Sequence, residues 1–248
     1  MRASDPPESS LRFGCLADAW TLRRSSMGAW TGASIIVACV IAATMAIALG
    51  LITLASHQVI GHWPKDFEEA DRILAVGFGV GVLATATIWT ADAGVFAMAL
   101  AQIRGEEIRA TQVVSQARLL PRMLLLALPA NLSIFLIDRL VRPPMTSPYW
   151  WMFELLTLAL ATPFAFVLPI MVDRGLKPHE AARTSSLTLI RQYPRAFAFY
   201  FAAYVQTMAG LACFFLAYLW TLPLFALSVS KAYEEMIGGR RLESGSIH

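Results

Sequence analysis

Long apolar stretches constrain the fold of this 248-residue chain more than any other feature of its sequence. A helix needs about 20 apolar residues to cross the roughly 30 Å hydrocarbon core of a bilayer. Whole turns of these stretches lack the polar face that a soluble helix presents to water. Charged residues make up only 15% of the chain, whereas soluble domains carry roughly 25%. The sequence therefore predicts an all-α integral membrane protein.

Four stretches have the length of one spanning helix each: residues 30–54, 73–101, 123–140 and 150–172. A fifth apolar region, residues 196–232, is long for one span and slightly short for two. We expect two spans there, with a turn near residues 208–210, because the glycine at its end permits a tight reversal. The prediction is a helical bundle of about six transmembrane helices.

The distribution of arginine and lysine predicts the orientation, because these residues concentrate in cytoplasmic loops. With six spans and the N-terminus inside, 16 basic residues lie on the cytoplasmic side and 4 outside, whereas five spans give 13 and 7. We therefore predict that both termini are cytoplasmic. The N-terminal segment covers residues 1–27, the transmembrane domain residues 28–233 and the C-terminal tail residues 234–248.

Both large cytoplasmic loops, residues 105–120 and 178–193, show helical spacing of apolar residues. Pro178 suits the first position of a helix, Glu180 complements the helix dipole in the first turn, and Pro194 predicts the end. We predict two amphipathic helices at the cytoplasmic membrane interface. The predicted apolar face of the second helix consists of Ala182, Leu189, Ile190 and Tyr193.

Basic residues surround this second helix, against only two acidic ones, Asp173 and Glu180. The basic residues are Arg174, Lys177, Arg183, Arg191 and Arg195. Each basic residue near an anionic membrane surface contributes about 1 kcal/mol to binding. Two interpretations stay open: the helix is a docking surface, or its basic residues only fix the topology.

A layer of polar residues lies inside the predicted spans, at the level of Pro163 and Pro223. It consists of Asp92, Asn131, Thr162, Gln206 and Thr221. At 1.5 Å per residue, Asp92 and Asn131 lie roughly 12–14 Å from the cytoplasmic ends of their spans. Ionisable residues at such depth usually face the bundle interior or a water cavity. The layer predicts either a polar site in which Asp92 and Asn131 face each other or a satisfied structural cluster.

Signatures of catalysis and of metal binding are missing from the sequence, which contains no Walker loop, HExxH or GxSxG motif. The three cysteines are scattered without a CxxC pair, and His57, His62 and His179 are most simply ordinary interfacial residues. We expect no catalytic residues, no metal and no cofactor. Gly77 and Gly81 form a GxxxG pattern that predicts a close approach of two helices.

Three stretches share short motifs with known membrane proteins: "AGVFAMALAQIRGEEI", "PIMVDRGLKPHEAARTSSLTLIRQYPRAF" and "TLPLFALSVSKAYEEMIG". The shared features are an Arg-Gly-Glu loop, a Pro near the end of a span, an Asp-Arg pair, a Glu-Ala, a Ser in the surface helix and a late Pro before a Tyr. Over roughly residues 92–238 the chain resembles an uncharacterised family of bacterial six-helix membrane proteins. It is also similar to the membrane domain attached to some glycerophosphodiester phosphodiesterases. The resemblance implies a six-helix membrane domain but no activity, and we expect no phosphodiesterase catalytic domain here.

Two functions from different classes are consistent with these patterns. One is a non-catalytic multi-pass protein of the bacterial inner membrane that organises partners or lipids at the cytoplasmic face. The alternative is a small transporter or flippase-like protein that uses the polar layer around Asp92 and Asn131. An intramembrane enzyme ranks third, because no nucleophile–base pair is visible. The expected partners are the lipid bilayer, anionic lipids and other membrane proteins, and we expect no nucleic acid.

Overall fold

The computed structural model describes residues 13–60, 67–140, 149–212 and 218–238, and the regular structure in these residues is entirely helical. The α-helices are α1 Gly14–Ser25, α2 Met27–Ile60, α3 Phe67–Ile103, α4 Gln112–Ser115, α5 Leu120–Leu140, α6 Trp150–Ala161, α7 Val167–Arg174, α8 Pro178–Ile190, α9 Tyr193–Ala212 and α10 Tyr218–Tyr233. A π-helical turn, Glu234–Gly238, extends α10. The helix therefore continues into the predicted C-terminal tail.

Four segments of the described chain are long and apolar enough to cross a membrane: Met27–Leu54, Ala75–Ile103, Gln112–Ser133 and Trp151–Arg174. The first, second and fourth segments match predicted spans to within a few residues. The third segment, Gln112–Ser133, begins and ends earlier than the predicted span over residues 123–140. The described residues therefore confirm the all-α class, with four segments that have the length and composition of membrane spans.

The long helix α3 lies at the centre of the bundle, where it packs against α2, α4, α5, α7 and α10. Its second half supplies much of the core, including the fully buried Ala93, Met98 and Ala99. The N-terminal helix α1 packs along α10. There the guanidinium of Arg23 lies 3.7 Å above the ring of Trp220, which compensates in part for the burial of the arginine.

The connection between α3 and α5 differs from the predicted helix over residues 105–120. Helical structure begins only at α4, which has four residues and is followed by a 3-10 turn, Gln116–Leu119. Val113 is buried against Gly94 of α3, and a Cβ atom added to Gly94 would lie 2.1 Å from the Val113 carbonyl oxygen. The loop therefore packs against the side of α3, and Gly94 permits that contact.

The fourth span is broken. A 3-10 turn, Thr162–Phe164, separates α6 from α7. Helix α7 ends at Arg174, and the next residue, Gly175, has the left-handed conformation, with φ +63°. Helix α8 then runs back along α7, so that Ser185 reaches the break and Tyr193 reaches Ala159. The two helices form the α7–α8 hairpin.

Two details of the sequence prediction are wrong, one in α8 and one in α9. Helix α8 ends at Ile190, and its buried residues are Ala181, Ser185 and Leu189, whereas Ile190 is 58% exposed. Ser185, which was not part of the predicted face, bonds to the Pro163 carbonyl and the Phe166 N–H and faces inward. The turn predicted near residues 208–210 is also wrong, because α9 continues as a helix to Ala212.

Replacing Gly94 by Ala tests the packing of the first loop on α3. The added methyl group has no room beside the Val113 backbone, so we expect a loss of about 1–3 kcal/mol in unfolding free energy. Gly79→Ala is the matched control, because Gly79 lies in the same helix with nothing within 4 Å of an added Cβ. The control should be neutral or gain up to about 1 kcal/mol from helix propensity. Thermal unfolding in detergent, followed by circular dichroism, measures both, and equal stabilities would contradict the close contact.

Candidate functional site

The buried carboxylate of Asp173, near the end of α7, joins three helices. Its Oδ1 atom lies 2.8 Å from Nη2 of Arg104, which directly follows α3. Its Oδ2 atom accepts a hydrogen bond of 2.6 Å from the hydroxyl of Tyr233, the last residue of α10. Only 1% of the Asp173 side chain is exposed. A charge at this depth is stable only when it is paired and hydrogen-bonded, as it is here.

Glu234 completes this group, because Nε of Arg104 donates a hydrogen bond of 2.6 Å to its Oε1 atom. We call Arg104, Asp173, Tyr233 and Glu234 the Asp173 cluster. Burial alone lowers the pKa of Arg104, but the hydrogen bonds to the two carboxylates outweigh this effect and raise it above its ordinary value. The guanidinium therefore keeps its charge throughout the physiological range.

Two further arginines attach the α7–α8 hairpin to its neighbours. Nη2 of Arg174 donates to the carbonyl of Ile237 in the π-helical turn at 3.1 Å. Nη1 of Arg122, near the start of α5, donates to the carbonyl of Gly175 at 3.0 Å. The turn of the hairpin is thus held by α3, α5 and α10 together. We call this end of the bundle the inner end.

The chemistry of the inner end favours structure over catalysis. In the Asp173 cluster both carboxylates and the guanidinium already bind one another. The nearby thiol of Cys15 lies 3.5 Å from Oε2 of Glu235. Burial, with the charge of Glu235, raises the pKa of Cys15 to about 12. The thiol is protonated at neutral pH and is a poor nucleophile.

The hydroxyl of Ser185 hydrogen-bonds two backbone groups at the break in the fourth span. It donates to the carbonyl of Pro163 at 2.7 Å and accepts the backbone N–H of Phe166 at 3.1 Å. One rotatable hydroxyl can serve both partners because it is donor and acceptor at once. The hydroxyl of Tyr193 bonds the carbonyl of Ala159 at 2.9 Å. The break therefore depends on α8 and on the start of α9 for its hydrogen bonds.

The predicted polar layer does not form one site. Asn131 hydrogen-bonds Thr85 of α3 and its own helix at Ala127. Asp92 lies seven residues beyond Thr85 along α3, which is about 10 Å. The expected meeting of Asp92 and Asn131 is therefore not found, and within the described chain the Asp92 carboxylate has no hydrogen-bond partner.

The other three members of the layer, Thr162, Gln206 and Thr221, have different surroundings. Thr162 is buried and bonds the carbonyl of Leu158 within its own segment. Gln206 is partly buried on α9. The buried hydroxyl of Thr221 has no partner among the described residues. Thr221 and Asp92 each lie one turn before rings that contact each other, Phe225 and Phe96, so these two positions share a level of the bundle.

The predicted basic residues divide into two groups. Arg174 is partly buried and turned inward, to the Ile237 carbonyl. The other four are exposed: Lys177, Arg183, Arg191 and Arg195. Arg183 and Arg191 flank two exposed apolar residues on α8, Leu187 at 57% and Ile190 at 58%. We call Arg183, Leu187, Ile190 and Arg191 the outer face of α8.

Sequence reasoning missed the Asp173 cluster, although its residues stand in the motifs that carry the family resemblance. Arg104 opens the Arg-Gly-Glu loop, Asp173 opens the Asp-Arg pair, and Tyr233 is the tyrosine after the late proline. The signal was therefore present in three distant motifs. Their pairing became visible only when the register of α3, α7 and α10 was known.

Comparison with known proteins gives no match: no family model, no curated protein and no solved structure is similar to the chain at a significant level.

Two aspartates allow a direct test of the Asp173 cluster. Asp173→Asn removes the charge that pairs with Arg104, so we expect a loss of about 3 kcal/mol in unfolding free energy, typical of breaking a buried ion pair. Asp92→Asn is the matched control, because the same chemical change occurs in α3 at a carboxylate without a hydrogen-bond partner, and it should cost nothing. Chemical denaturation in detergent measures both variants. An Asp173→Asn protein as stable as the control would show that the cluster does not hold the bundle.

Neighbouring serines on α8 test the repair of the broken span. Ser185→Ala leaves the Pro163 carbonyl and the Phe166 N–H buried without their partner, which costs about 1–3 kcal/mol. Ser186→Ala is the control, because its hydroxyl bonds only the carbonyl of Arg183 within the helix, and a change within about 0.5 kcal/mol is expected. The measurement is the thermal midpoint of each variant. Equal midpoints would mean that the break does not need α8.

Proposed function

We propose that this chain is a non-catalytic multi-pass membrane protein that organises lipids or partner proteins at the cytoplasmic face, through the outer face of α8. The observation that carries the proposal is the division of α8 into two sides. Ala181, Ser185 and Leu189 are buried against the bundle, where they support the broken span. The opposite side is exposed, basic and partly apolar, and its side chains have no such structural duty.

The finer topology belongs to the same proposal: six spans, both termini in the cytoplasm and a location in the bacterial inner membrane. The Asp173 cluster supports an even number of spans. The end of α10, the last proposed span, meets there the ends of α3 and α7, which close the second and fourth proposed spans. The contact of Phe96 with Phe225, one level higher, indicates that α3 and α10 run parallel. Helices that finish together must leave the membrane on the same side. The many basic residues there favour the cytoplasmic side.

A non-catalytic role is part of this proposal and draws on what the described side chains bind. The carboxylates of the Asp173 cluster are bound to a cation, and the thiol of Cys15 is protonated. Within the described residues no three histidine, cysteine or acidic side chains stand close enough to hold a metal ion. A membership in the family of bacterial six-helix membrane proteins, to which the chain bears a resemblance, is part of this proposal as well.

Substituting the two exposed apolar residues of the outer face tests the function. Leu187→Ser with Ile190→Ser removes the apolar contact while all basic residues remain, so bound lipids or proteins should be lost by several-fold. Leu189 is left in place, because it is 2% exposed and belongs to the core. The matched control is Val114→Ser with Leu120→Ser, which removes two exposed apolar residues from α4 and the start of α5. Affinity purification in mild detergent, with mass spectrometry of proteins and lipids, is the measurement.

Insertion must be verified in the same cells. A reporter fused after Ala17 and another after Gly239 should both report a cytoplasmic position in the wild type and in both double variants. If the Leu187/Ile190 variant inserts normally and keeps every bound lipid and protein, the outer face is not the functional surface. A periplasmic signal after Gly239 would contradict the six-span topology.

A further inference from the structure

We infer that Asp92 of α3, Tyr200 of α9 and Thr221 of α10 form a binding site for a primary ammonium ion. The site lies on helices other than α8, so it is independent of the proposed function. Asp92 stands well inside the segment Ala75–Ile103, where a charge is stable only when a partner compensates it. Among the described residues, no hydrogen-bond donor or opposite charge reaches this carboxylate.

Contacts between aromatic rings bring the three helices of this site together. The ring of Phe225 on α10 lies 6.3 Å from that of Phe96 on α3 and 6.1 Å from that of Tyr200 on α9, both edge to face. Asp92 precedes Phe96 by one helical turn, which places both residues on the same face of α3. Thr221 stands in the same relation to Phe225 on α10. The carboxylate and the threonine hydroxyl therefore belong to the faces of α3 and α10 that meet at the rings.

Each of the three polar groups can still accept a hydrogen bond. The hydroxyl of Thr221 is buried without a partner among the described residues, and no described residue hydrogen-bonds the hydroxyl of Tyr200. The Tyr200 hydroxyl also lies within electrostatic range of the Asp92 carboxylate. Buried polar groups in folded proteins are almost always satisfied, and one ligand at this point would satisfy several of them together. The Asp92 side chain is partly exposed, so a ligand can reach it.

The chemistry of these groups selects an organic ammonium ion. The charge of Asp92 requires a cation, and a primary ammonium group has three N–H donors, which match the acceptor oxygens of the three polar side chains. The neighbouring rings favour an ammonium group, because aromatic faces attract cations. A divalent metal ion fits less well, since it prefers several carboxylate or carbonyl oxygens, whereas Asp92 contributes the one carboxylate of this site.

Titration of the full chain in detergent with n-butylammonium, followed by calorimetry, tests the inference. Saturable binding is expected, and Asp92→Asn should weaken it about tenfold or more, because hydrogen bonds to a charged group are the strong ones. This variant keeps the shape of the side chain and should be as stable as the wild type, so the loss would not reflect unfolding. Thr221→Val and Tyr200→Phe each remove one acceptor and should weaken binding several-fold. The control, Asp18→Asn, removes the same charge from an exposed position on α1 and should leave binding unchanged.

Related compounds separate the possible causes of binding. n-Butanol has the same chain without the charge and should not bind, whereas tetramethylammonium has the charge without N–H donors and should bind more weakly than n-butylammonium. A phosphatidylethanolamine with short acyl chains identifies the source of the ammonium group: tighter binding than that of n-butylammonium indicates a lipid headgroup, and weaker binding indicates a free amine.

Four results would overturn the inference. The first is the absence of saturable binding by the wild type, and the second is binding that persists in the Asp92→Asn variant. Equal affinities for tetramethylammonium and n-butylammonium would contradict the hydrogen bonds to Thr221 and Tyr200. Displacement of n-butylammonium by calcium at constant ionic strength would assign the site to a metal ion instead.

Discussion

The burial of one negative charge, on Asp173, determines how the inner end of the bundle is assembled. A lone carboxylate in this position would cost several kcal/mol. Its cost is offset only when Arg104 and Tyr233 reach it, and these residues stand at the ends of two other helices. The ends of α3, α7 and α10 must therefore lie at one level. Packing of apolar side chains alone would let the helices slide, because lipid is as apolar as the helix surface.

The position of α8 follows from the same assembly. With the end of α7 fixed, the left-handed Gly175 turns the chain back and brings Ser185 to the broken span. The break needs such a partner, because a buried backbone group without a hydrogen bond is costly and the Phe166 N–H is buried. The usual distribution of polar and apolar side chains on a helix surface is therefore reversed at these positions of α8. A hydroxyl faces the bundle, whereas Leu187 and Ile190 face outward.

Properties of single helices were predictable from the sequence, and properties of pairs were not. The first, second and fourth spans were located to within a few residues, because apolar length is a property of one segment. The close contact on α3 was expected at Gly77 and Gly81, but it occurs at Gly94, because the packing of Val113 depends on how the loop folds back. Asp92 was singled out for its depth, while Asp173 was read only as a charge beside a surface helix. Depth is visible in a sequence, whereas a partner 60 residues away is not.

The contrast between the two aspartates also bears on function. Asp173 has a structural role, because it binds Arg104 and Tyr233, which stand at the ends of two other helices. Asp92 shares a level with Thr221, but Asn131 bonds Thr85, two turns away along α3, so Asp92 and Asn131 do not converge on a common point. A transport site requires such convergence, since a polar substrate in the bilayer must exchange its water for several protein groups at once. Among the described residues, exposed basic side chains lie on and beside α8, and this supports the proposal of a docking surface there.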